Sequence, residues 1–138
     1  MNIISVSAIM LLMLLGAVHV YWAFGGRRAR DKALPTKDGK RLIDPGTFLT
    51  LFVAILLFLF AYVAYRLRYD AGEGNFFVYA GWALSGVFFV RAVGDFNAVG
   101  FFKQIRNTKF AVYDTKYYSP LCIFFGLVFV LLSCQASR

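Results

Sequence analysis

The sequence predicts an all-α integral membrane protein, a four-helix bundle with its N- and C-termini outside. Four apolar runs, Ile3–Phe24, Thr47–Tyr65, Phe76–Asp95 and Tyr118–Cys134, fill well over half of the 138 residues. The chain is 60% hydrophobic and 19% aromatic with a mean hydropathy of +0.66, outside the range of soluble domains. Its charged residues, 16% of the total, are concentrated between the runs. A helix crosses the hydrocarbon core in roughly 20 mostly apolar residues, which the first three runs reach or approach. The fourth is shorter and spans with Tyr117 and Tyr118 in the headgroup layer. A single domain over 1–138 follows, with spans at about 3–24, 47–65, 76–96 and 118–134.

The segments follow in order. Run one has no side-chain cation in Met1-Asn2-Ile3-Ile4 and no small-residue cleavage motif after it, so it is expected to remain as a span. Connector one contains Gly25-Gly26, Pro35, Gly39 and Asp44-Pro45-Gly46, which break any helix. Asp44 is expected to cap run two, with Pro45 at the first helical position. Connector two, Arg66 to Asn75, is a polar turn with Gly72 and Gly74. In connector three, Phe101, Phe102 and Ile105 alternate with Lys103, Arg106 and Lys109, which predicts a short amphipathic piece lying flat at the interface. Cys122 and Cys134 share run four, about 18 Å apart along a helix, too far for a disulfide.

Charge placement sets the expected orientation. The net charge is +8. Arg27, Arg28, Arg30, Lys32, Lys37, Lys40 and Arg41 lie in connector one, and Lys103, Arg106, Lys109 and Lys116 in connector three. The opposite side offers only Arg66, Arg68 and Arg138. By the positive-inside rule, connectors one and three belong in the cytoplasm. Membrane lipids are the expected partners of these cations, and no nucleic-acid fold is present to use them.

Helices in lipid meet through small residues. The expected inner stripes are Ala8, Gly16, His19 and Ala23 in run one, and Thr47, Thr50, Ala54 and Ala61 in run two. Run three offers Gly81, Ser85, Ala92 and Asp95, and run four Cys122, Gly126 and Ser133.

Ionisable groups at membrane depth are costly and mark function by default. The candidate binding residues are His19, Trp22, Arg91, Asp95, Asp114 and Tyr118, gathered at one level in a cytoplasm-facing polar cavity. Arg91 and Asp95 stand i,i+4 and are expected to satisfy each other, the cation keeping Asp95 ionised. A histidine near a carboxylate titrates near neutrality, as acid–base chemistry requires. The architectural alternative makes Arg91 a snorkelling cation and Trp22 an interface anchor. One histidine, with thiols on another helix, is a poor donor set, so no metal is expected. No cofactor is expected either, because there is no glycine-rich phosphate loop, and no serine-nucleophile motif appears.

Several segments carry a family resemblance. They are His19-Val20-Tyr21-Trp22-Ala23-Phe24-Gly25-Gly26, Arg91-Ala92-Val93-Gly94-Asp95-Phe96 and Gly100-Phe101-Phe102-Lys103, with Asn107-Thr108-Lys109-Phe110-Ala111, Asp114-Thr115 and Tyr118-Ser119-Pro120-Leu121-Cys122. In them the chain resembles a family of short four-span bacterial membrane proteins, known only as a domain of unknown function (number three thousand nine hundred and ninety-five). The resemblance implies a multi-pass protein of the bacterial inner membrane and brings no activity with it.

The residues favour a small polytopic protein that binds a lipid or small amphiphile in its polar cavity, or serves as an accessory subunit with a protein partner or a second copy. The alternative is an intramembrane enzyme using His19 and Asp95 as acid and base, an analogy with sterol-isomerase bundles. The balance leans away from an enzyme.

Overall fold

The apolar runs become helices whose ends are set by the residues that break them. The computed structural model describes every residue except 1, 29, 39, 43–44 and 71–74, and the side chains of these except Asn2, Asp31, Thr36 and Arg41. Helix α1 covers Asn2–Ala23, α3 Thr47–Tyr69, α4 Phe76–Val93 and α6 Ser119–Ala136. These four are long and apolar enough to cross a membrane. Connector one holds a single turn, α2 (Arg30–Ala33), and a two-residue ladder of β1 (Thr36–Lys37) against β2 (Lys40–Arg41). Connector three ends in α5 (Lys109–Tyr113), which passes through a π turn, Asp114–Tyr118, into α6.

Two antiparallel hairpins build the bundle. Helix α1 packs along α3, α4 packs along α6, and contacts of α3 with α4 and α6, and of α1 with α6, bring the two pairs together. Small residues allow the close approach. A Cβ on Gly16 would meet the Phe58 ring at 2.7 Å, and one on Gly126 would meet the Phe89 ring at 2.9 Å. Ser85 donates to the Gly126 carbonyl across the α4–α6 seam at 3.0 Å. The core stacks Leu12, Leu67, Phe88, Phe125, Phe129 and Leu132, with Phe88 and Phe129 nearly parallel at 5.9 Å. Bulky apolar side chains such as Met10, Leu14, Ile55 and Val90 point outward, as lipid permits. The expected inner stripes are largely the buried ones: Ala8, Gly16, Ala23, Thr50, Ala54, Ala61, Gly81, Ser85, Ala92, Gly126 and Ser133. Thr47 and Asp95 are exposed, and His19 and Cys122 are half-buried.

Three local expectations change. Gly46, not Asp44, occupies the N-cap of α3, Pro45 precedes it, and Thr50 donates to the Gly46 carbonyl. Asp44 lies outside the described residues, as do Gly39, Gly72 and Gly74. Helix α4 stops at Val93 because Gly94 adopts φ 89°, ψ −169°, a conformation essentially reserved for glycine. Asp95 therefore leaves the helix that carries Arg91. The interfacial amphipathic piece does not form either: residues 101–108 are irregular, and Lys103 points inward with 2% exposure.

Helix α2 packs on α5, and the Tyr118 hydroxyl donates to the Lys32 carbonyl at 3.2 Å. The two cationic connectors thus share one end of the bundle.

Candidate functional site

The polar residues at this end fall into two groups. The first surrounds a cavity of about 130 Å³ where the end of α1, the short α2 and the start of α3 converge. His19 and Trp22 line it from α1, Arg30, Ala33 and Leu34 from connector one, and Leu49, Thr50 and Val53 from α3. Its walls are mostly hydrocarbon with few polar atoms, as in small-molecule sites. The His19 ring meets Trp22 edge to face, 5.1 Å between centroids. Nδ1 of His19 lies 2.8 Å from the carbonyl of Leu15, one turn back. Trp22 Nε1 donates to the Arg28 carbonyl at 2.9 Å, and Arg30 Nη2 donates to the Pro45 carbonyl.

The second group is a buried ion cluster under the loop that follows α4. Asp114 is fully buried, and both of its oxygens are engaged. Oδ1 accepts from Arg91 Nη2 at 3.0 Å; Oδ2 accepts from the Gly100 amide at 2.7 Å and from Lys103 Nζ at 3.1 Å. The Lys103 ammonium also donates to the Gly100 carbonyl and to Thr115 Oγ1, so all three of its protons have acceptors. One carboxylate between two cations leaves a net positive charge. Arg91 Nη1 is buried without a partner among the described residues.

The loop that presents Gly100 is built by Asp95. Its Oδ1 accepts from the amides of Asn97, Ala98 and Val99 at 2.9–3.0 Å. The Asn97 amide does most to hold the carboxyl below its usual range; slight burial opposes, and the Ala98 and Val99 amides add to the lowering. Gly94 and Gly100 close the loop backbone to backbone, and Phe101 donates to the Ala92 carbonyl. A Cβ on Gly94 would collide with the Val99 carbonyl oxygen.

Of the sequence candidates, His19 and Trp22 come together at the cavity, and Arg91 and Asp114 at the ion cluster. Asp95 lines neither, its carboxylate being turned to its own loop. Tyr118 stands between the groups: its hydroxyl holds α2, whose Ala33 is a wall of the cavity, and its ring lies 6.0 Å from that of Phe110.

Lys103, Gly100 and Thr115 were not legible as site residues. One signal could have found the lysine. Asp114 is the lone acid among Lys103, Arg106, Lys109 and Lys116, and a carboxylate so surrounded pairs with one of them. Among the described residues, no group of three or more His, Cys, Asp or Glu side chains is placed to hold a metal ion.

The sequence pattern of a family of proteins of unknown function, DUF3995, matches residues 12–129. The chain belongs to the DUF3995 family. Neither a curated protein nor a solved structure matches it. The matched stretch of this DUF3995 protein includes both polar groups, from His19 to Tyr118. It also includes the π turn, a distortion frequent at functional sites, which puts Asp114 and Thr115 beside Lys103.

Proposed function

We propose that this DUF3995 protein binds a small membrane amphiphile or lipid in the cavity beside His19. In the same reading it is a bacterial inner membrane protein with the cationic end in the cytoplasm and both termini outside. The carrying observation is the cavity itself. It is bounded by a transmembrane hairpin and a polar connector, with mostly apolar walls and a single imidazole. The connector cations favour anionic headgroups nearby, and the eleven-to-three asymmetry in Lys and Arg supports the orientation. The ion cluster has a supporting part, holding the α4–α6 junction against which α2 and α5 are braced.

Mass spectrometry of the protein released from mild detergent tests the binding. Wild type is expected to retain a small molecule that Ala33→Met and Val53→Phe, which fill the cavity, release without unfolding. Retention by the filled variants, or a wild type without any small ligand, overturns the reading. In the latter case a copurifying protein would favour the accessory-subunit role. For orientation, Lys37→Cys in a Cys122→Ser/Cys134→Ser background should react with an impermeant maleimide only after the cells are opened. Labelling of intact cells overturns the cytoplasmic placement.

A further inference from the structure

We infer that the cavity selects a hydroxyl-bearing end group, about the size of phenol, which donates its proton to His19 Nε2. This rests on the cavity reading above and adds the chemistry of the ligand. The Leu15 carbonyl can only accept, so the Nδ1 facing it at 2.8 Å carries the hydrogen. The other ring nitrogen, Nε2, has no protein partner among the described residues.

The two other uncharged hydrogen-bonding side chains that line the cavity have their protons turned to backbone. Trp22 Nε1–H goes to the Arg28 carbonyl, and the Thr50 hydroxyl donates to Gly46 and keeps only lone pairs. The uncharged part of the wall therefore offers acceptors, and Arg30, which also lines the cavity, donates to the Pro45 carbonyl. An acceptor-only end group, such as a ketone or ether, would face another acceptor and leave Nε2 desolvated and unpaired, a penalty larger than the bond itself. An ammonium could donate but would enter beside the Arg30 guanidinium among the connector cations. A neutral hydroxyl on an apolar body meets both conditions. The volume of about 130 Å³ sets the size, since an apolar cavity of roughly 150 Å³ accepts one benzene.

Fluorine NMR titration in lipid nanodiscs tests this with three probes: para-fluorophenol, fluorobenzene and para-fluoroanisole, each corrected for partition into empty nanodiscs. A net hydrogen bond of typical strength predicts that His19→Phe lowers the affinity ratio of fluorophenol to fluorobenzene by about three- to tenfold. The wild type is expected to discriminate against fluoroanisole by a similar factor, a comparison that needs no variant. An unchanged ratio in His19→Phe, or fluoroanisole binding as well as fluorophenol, overturns the hydroxyl assignment and leaves the cavity reading standing. Failure of all three probes to bind wild type, or binding that Ala33→Met does not reduce, overturns the cavity reading itself.

Discussion

Arg91 on α4 and Asp114 at the foot of α6 are joined across the helix seam, Nη2 to Oδ1 at 3.0 Å, with the carboxylate fully enclosed. Lys103 completes the arrangement from the loop between them, its side chain 1% exposed. Two cations neutralised in part by one anion make the anion the indispensable member.

Asp114→Ala is expected to destabilise by about 3–5 kcal/mol, because two cations are left without their acceptor in a buried site. Lys103→Met should cost clearly less, since Asp114 keeps Arg91 and the Gly100 amide. Thermal unfolding in mild detergent checks the order of the two. Equal losses would show that Asp114 is not the centre of the cluster.

Asp95 should give the loop a dependence on acid. Its folded pKa is lowered from 3.8, so the unfolded state binds the proton more readily. The contribution is complete above 3.8 and fades as the pH falls from there through the folded value. Protection of the Asn97, Ala98 and Val99 amides, measured against their intrinsic exchange rates at each pH, is expected to fall over that window in wild type, whereas Asp95→Asn should show no such step.

Gly94→Ala and Gly100→Ala should each destabilise by about 1–3 kcal/mol from backbone strain alone, with positive φ at both positions. Collision of the new Cβ with the facing backbone adds to this. Denaturation of the two single variants and the double variant checks it. Since the glycines face each other, the double variant should lose less than the sum.

Tyr118→Phe removes the hydroxyl that holds the Lys32 carbonyl and should cost about 1 kcal/mol. The informative readout is at the cavity: α2 loosens, and Trp22 emission in a Trp82→Phe background should shift to the red. An unmoved spectrum would detach Tyr118 from the cavity.

The membrane character, the four spans and the small-residue seams were determined by the sequence alone. Each follows from one-dimensional quantities: the length of an apolar run, the absence of charge within it, and the helical spacing of Gly, Ala and Ser. The cationic connectors were equally plain. Which polar groups meet was decided only in three dimensions. Arg91 and Asp95 stand four apart and look like a pair, yet Gly94 ends the helix between them and turns Asp95 to its own loop. Arg91 finds its anion twenty-three residues away. Lys103 reads as a surface cation until the loop closed by Gly94 and Gly100 brings it over Asp114. The orientation of the His19 ring depends on a contact with the Leu15 carbonyl that no composition reveals. Apolar burial follows from patterns along the chain, whereas a charge must find its partner wherever the backbone folds.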